Sequence, residues 1–143
     1  MQEYIDFFSN HPVLTIGWIV TLFLLISGFI QFRLSKVKSI NTQDTILLIN
    51  KSGAIVVDVR PSDEFNKGHI VNAKNIEASQ IEEGHFGGIE NHKDTPIILV
   101  CDSGARTTGV GKKLAKAGFT QLHNLSTGMN GWVTQNLPTT MKR

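Results

Sequence analysis

Between Phe7 and Phe32 the chain carries no Asp, Glu, Lys or Arg, and that gap decides how its 143 residues can be divided. The apolar run from Val13 to Ile30 inside it reads as one helix, hydrophobic on every side. At 1.5 Å rise per residue, about 20 residues cross a hydrocarbon core, and the segment 13–32 has that length. A buried core helix of this composition would need more protein around it than the remaining residues supply. A cleaved signal peptide wants a basic start, a shorter apolar core and a small-residue cleavage site. Here Glu3 and Asp6 precede the run, and Arg33, Lys36 and Lys38 follow it. A transmembrane anchor over 13–32 is therefore expected. The flanking positive charges predict a short external N-terminus, 1–12, and a cytoplasmic remainder.

All 14 basic residues lie beyond the anchor, together with 10 of the 12 acidic ones, a formal excess of +4. So small an excess suits a domain beside an anionic leaflet. It does not suit a nucleic-acid binder, because Lys112, Lys113 and Lys116 form the later basic cluster without interleaved aromatics. Cys101 is the single cysteine, which excludes an intramolecular disulfide and a cysteine-built zinc site. His85, His92 and His123 share no metal-ligand spacing, so neither metal nor cofactor is expected.

Residues 33–39 read as a basic tether, 40–138 as one domain and 139–143 as a C-terminal tail. Asn41 or Thr42 can cap a helix through Asn50, closed by Gly53. Ala54 to Val57 is a strand, apolar on both faces as a covered parallel strand would be. Ser62 is expected to cap a short helix through Lys67, and Ala73 to Ile76 reads as a strand. Ser79 with Glu82 has capping-box spacing. Pro96 to Val100 is again a buried strand, Thr107 to Ala117 a helix closed by Gly118, Gln121 to Leu125 a strand, and Gly128 to Gln135 a helix carrying Trp132. Strands separated by helices predict an α/β domain whose central sheet is mainly parallel and flanked by helices. In such sheets ligands collect at the carboxyl ends of the strands.

Cys101 stands at such an end, followed by Asp102-Ser103-Gly104-Ala105-Arg106. A lone cysteine is often a buried space-filler. A strand that passes through a glycine-containing loop into a helix, however, aims backbone N–H groups and the positive end of the helix dipole at one point. Beside Arg106 such a point favours a thiolate, the reactive form of cysteine. Asp102 either faces that point, where it opposes anionic reactants, or faces solvent. Asp58, ending its strand nearby, is expected to steady the loop by accepting N–H bonds, with Arg60 paired to it or to Glu64. His69 reads as a hydrogen-bonded structural residue, and Phe119 and Trp132 as core.

Val56-Val57-Asp58-Val59-Arg60, Glu64-Phe65 with Gly68-His69-Ile70, Ala73-Lys74-Asn75-Ile76, Cys101 to Arg106, Gly118-Phe119, and Leu125-Ser126-Thr127-Gly128 with Trp132 together resemble the rhodanese homology domain. The match covers residues 40 to 138. An anchor followed by one such domain is similar to the membrane-anchored single-domain rhodanese-like proteins of Gram-negative bacteria, which implies an inner-membrane location. The resemblance implies a sulfurtransferase. Cys101 would take sulfane sulfur from a donor such as thiosulfate or a persulfide, hold it as a persulfide, and pass it to a thiol or cyanide. Residues 101–106 would form the active loop, with Asp102, Ser103, Gly104, Ala105 and Arg106 binding substrate and no cofactor needed. Four residues separate Cys101 from Arg106, which resembles this shorter loop and not the five-residue spacing of related cysteine phosphatases. Some rhodanese domains are inactive modules, so a membrane-tethered adaptor with a membrane-protein partner stands as the alternative.

Overall fold

The computed structural model describes residues 12–33 and 37–141, with side chains included except at 28–33. It divides into two units, Met1–Ser35 and Lys36–Arg143. In the first, the uncharged run lies in helix α1, Pro12–Arg33, of 22 residues, which ends on Arg33. Trp18, Phe23 and Leu25 are among its exposed side chains. The hydroxyls of Thr21 and Ser27 donate back to the carbonyls of Gly17 and Leu24, so neither needs a partner outside the helix. Side chains are described only over 12–27, and among the described residues no helix is long and apolar enough to cross a membrane. The fold alone therefore does not supply the anchor expected over 13–32.

In the second unit the elements run β1 (Val37–Ile40), α2 (Thr42–Ser52), β2 (Ile55–Asp58), α3 (Ser62–Lys67), β3 (His69–Ile70), β4 (Lys74–Asn75), α4 (Ala78–Glu83), β5 (Ile97–Val100), α5 (Thr107–Lys116), β6 (Leu122–Leu125), α6 (Gly128–Thr134) and β7 (Thr139–Thr140). Five strands form one sheet in the order β1-β6-β5-β2-β4, and every pairing in it is parallel. The expected α/β architecture is observed.

Successive side chains of a strand face opposite sides of the sheet, and on β5 both sides are covered. Ile97 and Leu99 pack with Ile81, Val110, Leu114 and Phe119 on one face. Ile98 and Val100 pack with Met129 and Trp132 on the other. All four strand residues are fully buried, which explains why this strand is apolar throughout instead of alternating. Its position in the middle of the sheet puts Cys101 at the centre of the sheet's carboxyl edge.

Several expectations are corrected. Residues 37–39, assigned to the tether, belong to β1, the sheet edge paired with β6 from Val37↔Leu122 to Ile40↔Leu125. With Lys38 and Ser39 exposed, four residues carry too little apolar pattern to read. Thr139 and Thr140, assigned to the tail, pair antiparallel with His69 and Ile70, and two-residue strands have no period at all. The capping box is Glu77 with Gln80, not Ser79 with Glu82. Pro61, not Ser62, precedes α3 as its cap, and the Ser62 hydroxyl donates instead to Glu77 at 2.7 Å. The cap of α2 is as expected, with Asn41 Oδ1 accepting from the Asp44 N–H at 2.8 Å.

Lys38 and His123 are register partners on adjacent strands. The Nδ1 of His123 is buried and lacks a hydrogen-bond partner. Burial, and then the charge of Lys38, hold its pKa below the usual 6.5. The unfolded chain therefore binds this proton more readily than the folded one. Stability from this residue is present above the unfolded pKa and is lost as pH falls through it toward the lower folded value. Urea unfolding midpoints should fall between about pH 7 and 5, and the fall should shrink in His123→Asn. An unchanged pH profile in that variant would remove His123 as the cause.

Candidate active site

At the end of β5 the chain leaves the sheet against the start of α6. The Cys101 carbonyl accepts the Met129 N–H at 2.8 Å and the Asp102 carbonyl accepts the Asn130 N–H at 3.0 Å. Two N–H groups of the first turn of α6, orphaned within the helix itself, are thereby satisfied. The approach requires Gly128, which has φ +57° and would drive a Cβ into those same two carbonyls.

The loop then folds back on the sulfur. Gly104 takes φ +83°, and a Cβ there would lie 2.5 Å from the Ser126 carbonyl. In this conformation its N–H donates to Cys101 Sγ at 3.0 Å. Its carbonyl is held by Thr107 Oγ1 at 2.9 Å and Asn124 Nδ2 at 3.1 Å. A trans peptide points its N–H opposite to its C=O, so these two bonds also fix the orientation of the next amide, that of Ala105. Cys101 itself is fully buried, with 0% exposure.

A second set of charges stands beside the loop. Asp58, at the end of β2, accepts the Arg60 backbone N–H at 3.0 Å and takes the guanidinium Nη2 at 2.7 Å. That Nη2 also donates to the Gly68 carbonyl at 2.8 Å. Asn75 Nδ2 ties the carbonyls of Asp58 and Arg60 together at 3.1 and 2.9 Å. Burial opposes the charge on Arg60, but the hydrogen bond and charge of Asp58, with the charges of Asp102 and Glu64, outweigh it and raise its pKa. Arg60 Nη1 lies 3.8 Å from Asp102 Oδ1, and Arg106 Nη2 lies 3.5 Å from Asp102 Oδ2.

Cys101, Asp102, Gly104 and Arg60 thus gather around the end of β5. Arg60 pairs with Asp58 in preference to Glu64. Asp58 does not bond the 101–106 loop as expected; it serves the turn at Arg60 and reaches the loop only through that guanidinium. Arg106 is exposed and directed to the Asp102 carboxylate, and Ser103 and Ala105 are exposed. Among the described residues one N–H donates to the sulfur, not several. His69 is structural as expected, its Nδ1 2.8 Å from the Phe65 carbonyl and its ring stacked on Phe65 at 3.7 Å. Asn124, Thr107 and the α6 amides were not singled out from the sequence. The polar pair His123-Asn124 between the buried Leu122 and Leu125 is the one sequence signal that could have marked the first of them. Among the described residues no group of His, Cys, Asp and Glu could hold a metal.

A model of the rhodanese-like domain matches residues 41–135. The chain belongs to the rhodanese-like domain family. The uncharacterized protein YibN of Escherichia coli is 41% identical over 138 residues, covering 96% of each chain. A protein of Pseudoalteromonas translucida named thiosulfate sulfurtransferase GlpE is 28% identical over 95 residues, 66% of this chain and 88% of that one. Among solved structures, a rhodanese-like domain protein from Staphylococcus aureus matches with a TM-score of 0.61 at 28% identity, covering 74% of this chain and 99% of its own.

Within this rhodanese-like domain the Asp58–Arg60 pair makes a clear prediction. Removing one partner of a buried ion pair costs about 3–5 kcal/mol, because the other charge is left uncompensated. Asp58→Ala should lose stability on that scale in urea unfolding, and Asp58→Ala with Arg60→Leu should recover part of the loss. Equal stability of the single and double variants would show that the stranded guanidinium is not the source.

Proposed function

We propose that the protein is a membrane-anchored sulfurtransferase working through a persulfide on Cys101. The observation that carries this reading is the Gly104 N–H held on the sulfur at 3.0 Å by a loop whose glycine and carbonyl are both constrained. A donor N–H on the sulfur stabilises a thiolate, the form that attacks a donor. The thiolate attacks the outer sulfur of a donor such as thiosulfate. The new S–S bond forms as the donor's S–S bond breaks, and sulfite leaves with the electron pair. A thiol or cyanide then attacks the outer sulfur and returns Cys101 as thiolate. Residues 102–106 line the reaction, and because Cys101 is wholly enclosed, the exposed part of that loop must part to admit the donor.

That enclosure also favours a second reading, in which the domain is a tethered binding module and the cysteine a packing residue. Intact-mass measurement separates the two. Full-length protein in detergent should gain about 32 Da with thiosulfate or an alkyl persulfide, lose it with cyanide, and show no gain as Cys101→Ser. No adduct with either donor would favour the binding module.

Membrane anchoring is read from the uncharged run over 13–32, preceded by acidic and followed by basic residues. In this proposal the N-terminus lies outside and the domain in the cytoplasm, at the inner membrane of a Gram-negative cell. Full-length protein should stay in the membrane pellet after alkaline carbonate extraction, whereas a chain beginning at Lys36 should be released. Release of both would overturn the anchor.

A further inference from the structure

We infer that Asp102 sets the class of sulfur donor, selecting persulfides whose leaving group is a single thiolate over the dianionic thiosulfate; this rests on the sulfurtransferase reading above. A groove of about 630 Å³ runs between α3 and α6 past the Cys101 loop, and Arg60, Lys67, Asp102 and Val133 are among its walls. Its cations are already spent. Arg60 is bound to Asp58 at 2.7 Å and faces Asp102 at 3.8 Å. Arg106, the other guanidinium near the loop, is 3.5 Å from the same Asp102 carboxylate. Lys67 lies 3.7 Å from Asp63, and Glu64 stands on the same groove wall.

Arg60, Lys67 and Arg106 are therefore met by Asp58, Asp63 and Asp102, with Glu64 in addition, and no net positive field is left to hold a sulfonate. Asp102 is the carboxylate that decides this balance. Asp58 is 1% exposed and committed to Arg60, whereas the Asp102 side chain is 33% exposed and spans both arginines. A thiosulfate brings two negative charges to this edge, and its departing sulfite must carry two away past the same carboxylate. An alkyl persulfide with an uncharged chain brings at most one. Its outer sulfur is taken by the Cys101 thiolate, the S–S bond breaks, and one thiolate leaves with the electron pair, so charge and atoms balance without a further reactant. Val133, 56% exposed on the groove wall, offers such an alkyl chain an apolar contact.

The test compares Cys101 loading rates, read by intact mass in full-length protein, for thiosulfate and an alkyl persulfide with an uncharged chain. Asp102→Asn keeps the shape and removes the charge, freeing Arg106 and leaving Arg60 balanced by Asp58 alone. The ratio of thiosulfate to persulfide kcat/KM should rise about tenfold or more, and thiosulfate loading should become more sensitive to added salt. Asp102→Glu, which keeps the charge, should hold the ratio near that of the native protein. A ratio within twofold of native in Asp102→Asn, with both donors still loading, would overturn the assignment and leave the sulfurtransferase reading standing. Failure of both donors to load any of the proteins would overturn that reading, and this inference with it.

Discussion

The ion pair between Asp58 and Arg60 is the interaction on which the carboxyl edge of this sheet depends. A guanidinium that is 7% exposed survives only if its charge is met inside the protein. Asp58 meets it, and the remaining donors are used to fasten chain segments that would otherwise have no reason to meet. One reaches the Gly68 carbonyl and holds the turn between α3 and β3. Another faces Asp102 on the cysteine loop. Asn75 closes the arrangement from β4 by bonding the carbonyls on both sides of the pair. The turn after β2, the turn between α3 and β3 and the cysteine loop after β5 are thus referred to one buried charge.

The cysteine loop is shaped by close backbone approach more than by side chains. Gly128 lets the first turn of α6 come down on the carbonyls of Cys101 and Asp102, and Gly104 lets the chain turn under the Ser126 carbonyl. Both sit at positive φ, where a Cβ would be strained even with room to spare. What the loop presents is therefore mostly peptide: an N–H on the sulfur and carbonyls turned away to Asn124, Thr107 and α6. Peptide groups held this firmly need little reorganisation to meet a charge, which is how a site of few side chains can stabilise an anion.

Much of this domain was legible in order and kind. Buried apolar strands such as Ile97–Val100, and helices closed by glycine, announce a covered parallel sheet, and Cys101 at a strand end before a glycine loop announces the site. The strands β1, β3 and β7 were not legible, because they are short, show no apolar period, and owe their existence to the strands they pair with. The cap at Glu77 escaped notice for a related reason. Its carboxylate serves both its own helix and Ser62, fifteen residues earlier, and only the folded chain brings these together.

By itself the sequence determined the uncharged helix, the α/β class, the position of the single cysteine and the length of its loop, because these follow from local periodicity, glycine and spacing along the chain. The tertiary structure alone decided what surrounds that cysteine. It assigned Asp58 to Arg60 and not to the loop, gave Asp102 to two arginines at once, and brought Asn124 from a neighbouring strand to the Gly104 carbonyl. Pairings of charges and hydrogen bonds depend on which strand ends lie side by side, and that is a property of the sheet order β1-β6-β5-β2-β4, which no local run of residues contains.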